Sequence, residues 1–311
     1  MMKTILVATQ KPFAPVAKAQ IDKVAKAAGY EVKYLEKYKE EAELCAAVAS
    51  VDALIVRSDK VTANVVEAAG KLKIVVRAGA GYDNLDLQAL KAKGIVAMNT
   101  PGQNANGVAE LAVSMIIFMA RNGFNPGTGV EIEGKMLGLH GFGAVARLVG
   151  QKAKALGMKV CAYDPFVKAE DMKKAGVTPV KTLASLYKRS FAVSIHVPAL
   201  PATIGCVNAN LLGNMSKTDK CIVLNTARAE IIDNDGMFKA LEENPNLCYA
   251  SDVAKAEEWG RFAEAFGARV WADTQKIGAQ TKESNVRAAA AAAKQIVAFF
   301  EKGVTKFQLN K

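Results

Sequence analysis

The sequence predicts an α/β protein of two doubly wound domains, each built on its own parallel sheet. Short apolar runs alternate with amphipathic segments along its 311 residues, which is typical of β-α units. Gly29, Gly70 and Gly94 each stand where a helix should end. A polar break at residues 99–104 separates a first set of units from a second. The length suffices for two ordinary domains.

In the first set, the apolar runs predict the strands Thr4–Ala8, Glu31–Leu35, Ala53–Arg57, Lys73–Arg77 and Val96–Met98. The segments between them predict the helices Ala14–Ala28, Lys39–Ala49, Ala63–Ala69 and Leu87–Lys93. The second set opens with Val108–Arg121, a strongly apolar helix typical of one buried between domains or subunits. It continues with the helix Ala144–Leu156 and the strands Lys159–Tyr163, Phe191–Ile195, Cys221–Leu224, Cys248–Asp252 and Arg269–Trp271, and Ser284–Phe300 is a last long helix.

Composition indicates a globular protein with ample core, at 51% hydrophobic and 23% charged residues. The net charge of +11 is spread over helices such as Ala17–Lys26, which predicts solvated faces rather than nucleic-acid binding; it could still steer an anionic substrate. No apolar run approaches a membrane span, and residues 1–7 are expected to form a strand rather than a signal peptide. The cysteines are odd in number and lack CxxC spacing, so we expect reduced thiols, a cytoplasmic location and no metal site.

A glycine turn near the middle of the chain predicts a dinucleotide site. Gly141, Gly143 and Ala146 have G-x-G-x-x-[GA] spacing between an apolar run and a helix. The glycines permit close approach of a pyrophosphate, and the helix start offers N–H groups at Ala144 and Val145. Asp164 ends the next apolar run, where it would accept hydrogen bonds from a ribose and favour NAD over NADP. The alternative is an ordinary strand–turn–helix connection.

Cationic residues follow two strands of the first set. The first of these strands is followed by Arg57, Ser58 and Lys60, and the next strand is followed by Arg77, Ala78 and Gly79. Ligands of open α/β sheets bind at the carboxyl ends of strands, so these residues predict a phosphate or carboxylate site. Surface charge beside a tight turn is the alternative.

In the second set, Arg228, Glu257 and Lys276 follow three predicted strands. An arginine, a glutamate and a lysine could orient an anion and move a proton. Because strand ends always carry polar residues, spacing alone leaves this assignment open.

Seven segments together resemble the D-isomer-specific 2-hydroxyacid dehydrogenase family over essentially the whole chain. They are RAGAGYDNLDL (Arg77–Leu87), NANGVAELAVSMI (Asn104–Ile116), GLHGFGAVAR (Gly138–Arg147), SIHVPALPAT (Ser194–Thr203), NTARAEIID (Asn225–Asp233), SDVAKAE (Ser251–Glu257) and TQKIGAQT (Thr274–Thr281). Within the family the chain is most similar to short D-3-phosphoglycerate dehydrogenases, which have no appended regulatory domain. Because it ends at Lys311, it is expected to lack the serine-binding regulatory domain of longer relatives.

The resemblance implies a Rossmann-like dinucleotide-binding domain, residues 101–282, and a flavodoxin-like substrate-binding domain, residues 1–100 plus 283–311, around a cleft. The crossings near residues 101–104 and 281–284 would form its hinge. A homodimer through the region Val108–Arg121 is expected, although the segment Arg121–Lys135 is shorter than in many relatives.

The resemblance also implies roles. Arg228 would clamp the substrate carboxylate, Glu257 would position the acid–base group, and Lys276 stands where the family usually has histidine. Lys276 could be the acid–base residue, a histidine from elsewhere could replace it, or the protein could be a non-catalytic NAD-binding regulator. The histidines His140 and His196 lie at other positions, so we favour Lys276. Desolvation and Arg228 would then have to lower its pKa from about 10.4, against the effect of Glu257.

The predicted activity is NAD-dependent oxidation of D-3-phosphoglycerate, the entry to serine synthesis. The reason is that the first domain offers more positive charge than glyoxylate or lactate would require as a substrate. The alternative is a glyoxylate or hydroxypyruvate reductase. Substrate contacts are expected from Arg57, Ser58, Lys60, Arg77, Ala78, Gly79 and Asn104. Cofactor contacts are expected from Val108, Gly141, Gly143, Ala144, Val145, Asp164, Pro165, Val197, Pro198, Thr226, Ala227, Arg228, Asp252, Lys276 and Gly278.

Overall fold

The computed structural model describes residues 2–311, which divide into two compact units. The first unit contains residues up to Asn104 together with Thr281–Lys311, and the second contains Ala105–Gln280. Each unit has its own sheet of parallel strands, and this confirms the predicted fold class.

In chain order the strands and helices are β1 (Thr4–Thr9), α1 (Pro15–Ala27), β2 (Glu31–Glu36), α2 (Glu41–Val48), β3 (Ala53–Val56), α3 (Ala63–Ala68), β4 (Ile74–Arg77), α4 (Leu87–Ala92), β5 (Val96–Asn99), α5 (Ala105–Ala120), β6 (Met136–His140), α6 (Ala144–Ala155), β7 (Lys159–Tyr163), α7 (Ala169–Lys174), β8 (Thr178–Pro179), α8 (Leu183–Arg189), β9 (Ala192–Ile195), α9 (Ala209–Leu212), β10 (Cys221–Asn225), α10 (Asn234–Glu243), β11 (Leu247–Ser251), α11 (Ala256–Phe266), β12 (Val270–Ala272) and α12 (Lys282–Lys302). Short 3-10 helices occupy Asn122–Phe124, Ala229–Ile231 and Gly267–Arg269.

The first unit has a five-stranded sheet in the order β2-β1-β3-β4-β5, which is the flavodoxin-like order. Strands β3 and β4 are almost wholly buried because hydrophobic clusters cover both faces of the sheet. Helix α12 packs against α1, and its alanine run supplies Ala288, Ala289, Ala292 and Ala293 to this core. The C-terminal tail then adds to the edge strand, where Leu309 N–H donates to Ala97 O at 2.8 Å.

The second unit has a seven-stranded sheet in the order β12-β11-β10-β9-β6-β7-β8. Counted from β6, the first six strands have the Rossmann order, and strand order reverses between β6 and β9. Helix α5 packs on α6 and β10, and its buried residues, among them Ala112, Ile116 and Met119, belong to this unit's own core. That packing explains the strongly apolar character of the segment.

Several elements of the second unit did not emerge from the sequence pattern: β8, α8, α9, α10 and α11. Helix α10 contains asparagine, aspartate and glycine, which favour helix formation weakly, and tertiary packing of Met237 and Leu241 decides its structure. The strand before Asp252 ends at Ser251, so the Asp252 side chain belongs to the strand-end loop.

Among residues 2–311, no cluster of three metal-ligating side chains is suited to holding a metal ion. In the same described residues, no helix has the length and apolarity to cross a membrane.

Candidate active site

The glycine turn lies at the switch point of the seven-stranded sheet. It joins β6 to α6, and Gly141 adopts φ +96°, a left-handed conformation that favours glycine. A Cβ at Gly141 would lie 3.0 Å from both the His196 carbonyl oxygen and Val197 Cγ1. The turn therefore packs against the segment that follows β9, where Pro198 is exposed. Crevices at such points are the usual ligand sites of doubly wound sheets.

Gly143 leaves open space at the start of α6. A Cβ built on it would meet nothing within 4 Å, and as the N-cap it provides no side-chain hydrogen bond to the helix. The first N–H groups of a helix, here from Ala144 and Val145 onward, have no acceptor within the helix itself. An anion can approach these donors closely.

The Asp164 carboxylate is held by two backbone N–H groups. Its Oδ2 accepts from Phe142 in the glycine turn at 2.8 Å, and its Oδ1 accepts from Phe166 at 2.9 Å. Because a carboxylate oxygen accepts more than one hydrogen bond, Asp164 can still bind a hydroxyl. Pro165 and Phe166 beyond it are exposed, the latter 93%.

Asp252, which follows β11, is buried against the segment that carries Lys276. Its Oδ2 accepts the Gly278 N–H at 2.7 Å, and a Cβ at Gly278 would stand 2.8 Å from that oxygen. The same Cβ would lie 3.4 Å from Val108 Cγ2, which places α5 beside this contact. Burial raises the pKa of Asp252, while the Gly278 hydrogen bond and the positive charge of Lys276 act in the opposite direction.

One open cavity of about 380 Å³ brings together Arg228, Glu257 and Lys276. Arg228 follows β10, where Asn225 accepts the Ala227 N–H at 3.0 Å and donates to Arg228 O at 2.8 Å. Arg228 Nη1 in turn donates to Ala227 O at 2.8 Å. Glu257 lies in the first turn of α11, and Lys276 has φ +55°, a conformation uncommon outside glycine.

Sequence reasoning missed other polar residues that line this cavity: Glu230, Lys255 and Thr274. Each lies within two residues of a predicted catalytic position, so their adjacency in the chain was the available signal. Glu230 and Lys255 add one charge of each sign to those of Arg228, Glu257 and Lys276.

The two histidines lie elsewhere in the second unit. His140 ends β6, is 3% exposed and has Nδ1 3.3 Å from the Tyr187 hydroxyl. His196 follows β9, and its N–H donates to His140 O at 2.8 Å. Burial lowers the pKa of His140 to about 4 and that of His196 to about 3. Both rings are therefore neutral near pH 7, and neither lines the cavity.

These histidines predict a loss of stability in acid. Histidine in the unfolded chain has a pKa near 6.5. Below that pH the unfolded chain therefore binds protons on both histidines, while in the folded protein the two rings stay neutral. Stability should fall between pH 6.5 and 4.5 by up to about 1.4 kcal/mol per pH unit for each histidine. Denaturant unfolding of the wild type and of His140→Asn across this range measures the effect. The variant should show a shallower slope, and equal slopes would contradict the assignment.

In the first unit, two loops at the strand ends are tied together. Arg77 Nε donates to Arg57 O at 2.8 Å, and a Cβ at Gly79 would overlap the Arg77 guanidinium. Ala78 is buried, Ser58 and Lys60 are exposed, and Asn104 is half-buried. The structure therefore brings the two arginines into one network.

Residues 6–310 match the sequence profile of the D-isomer specific 2-hydroxyacid dehydrogenase catalytic domain. The chain belongs to this dehydrogenase family. It is 36% identical over 241 residues to a hydroxypyruvate reductase of Thermotoga maritima, covering 73% of this chain and 77% of that protein. It is 35% identical over 269 residues to the D-3-phosphoglycerate dehydrogenase of Homo sapiens, covering 82% of this chain but 50% of that protein. The chain thus spans about half the length of that curated relative.

Solved structures of dehydrogenases agree in fold. A NAD⁺-bound 3-phosphoglycerate dehydrogenase of Entamoeba histolytica has a TM-score of 0.90 and 41% identity, covering 100% of this chain and 99% of that one. D-2-hydroxyisocaproate dehydrogenase has a TM-score of 0.83 at 22% identity, covering 99% of this chain and 100% of that one. At this identity the likeness shows only that the fold is shared.

This dehydrogenase has three buried polar atoms at the ends of neighbouring strands that find no hydrogen-bond partner within residues 2–311. They are His196 Nε2 after β9, Thr226 Oγ1 after β10 and Asp252 Oδ1 after β11. Buried polar groups are rarely left unsatisfied, so such atoms mark a place where a polar ligand fits.

Proposed function

We propose that the protein catalyses NAD-dependent oxidation of D-3-phosphoglycerate to 3-phosphohydroxypyruvate, with Lys276 as the acid–base residue. The observation that carries the proposal is the cavity shared by Arg228, Glu257 and Lys276. An arginine, a carboxylate and a lysine around one space can bind an α-hydroxy acid and move its proton.

The residues of the second unit fit NAD as the cofactor. The α6 N-terminus beyond Gly143 suits a pyrophosphate, and Asp164 suits a ribose diol while opposing a 2′-phosphate. The partnerless Asp252 Oδ1 suits an amide donor such as the nicotinamide carboxamide. When bound, NAD⁺ supplies the acceptor for the hydride that leaves substrate C2. The relative from Entamoeba histolytica, at 41% identity, was solved with NAD⁺.

The chain's own residues would handle the substrate as follows. Arg228 binds its carboxylate with paired N–H donors and polarises the oxygen on C2. Lys276, as the neutral amine, takes the proton from the C2 hydroxyl as the carbonyl forms. Glu257 orients the Lys276 ammonium and balances its charge after that transfer.

The phosphate end of the substrate would be bound in the first unit, through Arg57, Lys60 and Arg77. Guanidinium groups and exposed backbone N–H groups are common phosphate ligands. Names of relatives support this choice, since several are D-3-phosphoglycerate dehydrogenases. The reaction would supply serine biosynthesis. The free cysteines are consistent with a cytoplasmic enzyme, and we propose a homodimer.

The second candidate function is reduction of hydroxypyruvate or glyoxylate, because the Thermotoga maritima relative is a hydroxypyruvate reductase. Both candidates use the same second-unit residues and differ in whether the substrate carries a phosphate.

Initial rates of NADH oxidation with phosphohydroxypyruvate, hydroxypyruvate and glyoxylate test the proposal. We expect kcat/KM for phosphohydroxypyruvate to exceed the others by at least about 100-fold, as two lost charge-assisted contacts would allow. NADPH should replace NADH poorly. Indifference to the phosphate would favour the second candidate, and absence of turnover with every 2-oxo acid would indicate a non-catalytic binding protein.

A further inference from the structure

Asp59 is a buried carboxylate in the loop after β3, and the roles proposed above do not use it. It is 4% exposed. Its Oδ1 accepts the Gln10 N–H at 2.6 Å and the Tyr38 hydroxyl at 3.0 Å, and its Oδ2 accepts the Arg57 N–H at 3.4 Å. Gln10 follows β1 and Arg57 follows β3, the two strands at the switch point of the five-stranded sheet. One carboxylate thus joins both strand ends.

A second set of hydrogen bonds holds the same loop from its other side. Asn84 Nδ2 donates to Asp59 O at 2.6 Å and to Arg57 O at 3.3 Å. Arg77 Nε donates to Arg57 O at 2.8 Å, and Val61 N–H donates to Asn84 O at 2.8 Å. The backbone from Arg57 to Val61 is therefore anchored at several points.

The Arg57 side chain is oriented as well. Its Nη2 donates to Asn285 Oδ1 at 2.9 Å, and its guanidinium carbon lies 5.3 Å from the centre of the Phe13 ring. Burial lowers the pKa of Arg57, and the Asp59 charge opposes that shift. Burial and Asp59 also raise the pKa of Tyr38 well above 10, so its hydroxyl remains a donor.

We propose that Asp59 is a positioning residue for the substrate's phosphate, acting by holding Arg57 and its loop at the switch point. The inference rests on the proposed phosphoglycerate activity. Two effects of removing its charge oppose each other. A lost negative charge would attract an anion more strongly, but the donors from Gln10, Tyr38 and Arg57 already offset part of the Asp59 charge. Releasing the Arg57 N–H displaces the guanidinium itself, so we expect positioning to dominate.

Asp59→Asn isolates this contact. The amide oxygen of asparagine can still accept from the Gln10 N–H and the Tyr38 hydroxyl. Its amide nitrogen would face the Arg57 N–H, and two donors cannot form a hydrogen bond. KM for phosphohydroxypyruvate should rise about tenfold, which is about 1.4 kcal/mol, with kcat and the KM for hydroxypyruvate within about twofold. Asn84→Ala removes the hydrogen bonds that hold the same loop from its other side. It should likewise raise the KM for phosphohydroxypyruvate and leave the KM for hydroxypyruvate nearly unchanged.

Tyr38→Phe is the matched control, because it removes one donor from Asp59 and leaves the contact with Arg57. It should lower the melting temperature without changing either KM. A lower KM in Asp59→Asn, or equal rises for both substrates, would overturn the proposal.

Calorimetric titration with inorganic phosphate separates this inference from the proposed activity. Weaker phosphate binding by Asp59→Asn than by the wild type supports a positioning role even if the wild type does not turn over phosphohydroxypyruvate. Equal binding contradicts it.

Discussion

Replacing Lys276 by methionine is expected to lower kcat by about 10²–10⁴-fold, the usual contribution of a positioned acid–base group. Methionine has a similar stem and no proton to transfer. NADH affinity should change far less than kcat. Lys276 is one expected cofactor contact, but the pyrophosphate and ribose positions lie at Gly143 and Asp164. Steady-state rates in both directions, with NADH fluorescence titration, measure the two quantities separately.

Lys255→Met is the matched control for Lys276→Met. Lys255 lines the same cavity but lies 4.0 Å from Glu258 in an exposed ion pair, which contributes little. Its loss should change kcat by less than about threefold. Lys276→His, which restores the residue usual in the family, should retain part of the activity. An unchanged basic limb of the pH–rate profile in Lys276→Arg would exclude Lys276 as the proton carrier.

The features that the sequence predicted well depend on local patterns. Apolar runs bounded by glycines located most strands of both sheets, because parallel strands buried on both faces are continuously hydrophobic. The turn Gly141–Gly143 was likewise visible, since its geometry follows from neighbouring residues. Placing polar groups at strand ends made Arg228 and Lys276 candidates, and the family resemblance implied their roles. The cavity brings the two residues together.

The features that escaped the sequence depend on contacts between distant residues. No sequence pattern distinguishes Asp59 from other loop charges, because its partners Gln10 and Tyr38 lie 49 and 21 residues earlier. The sequence could place Asp252 after its strand. It could not show that Gly278, 26 residues later, donates to Oδ2, or that Oδ1 has no partner among residues 2–311. Pairings of this kind carry no period or motif, so only the folded chain shows them.

Arg228→Gln is expected to lower kcat/KM for the 2-oxo acid by about 10³-fold. A guanidinium binds a carboxylate through two charge-assisted hydrogen bonds, and the amide of glutamine keeps one neutral donor group. Removing a single hydrogen-bond donor to a developing oxyanion lowers kcat by about 10²–10³-fold. Asn225 holds the Arg228 backbone, so the substitution should leave the loop in place. Steady-state kinetics and a thermal melt of the variant check both points.

The division of that loss between kcat and KM tests the role. If Arg228 only held the carboxylate, KM would rise and kcat would stay unchanged, because the bound substrate and the transition state would lose the same binding free energy. If it also polarises the C2 oxygen, kcat must fall, and Arg228→Lys should lie between the glutamine variant and the wild type. Arg261→Gln is the control, since Arg261 pairs with the exposed Asp235 at 2.6 Å and does not line the cavity. A drop in kcat shared by Arg261→Gln would indicate disturbance of α11 rather than chemistry at Arg228.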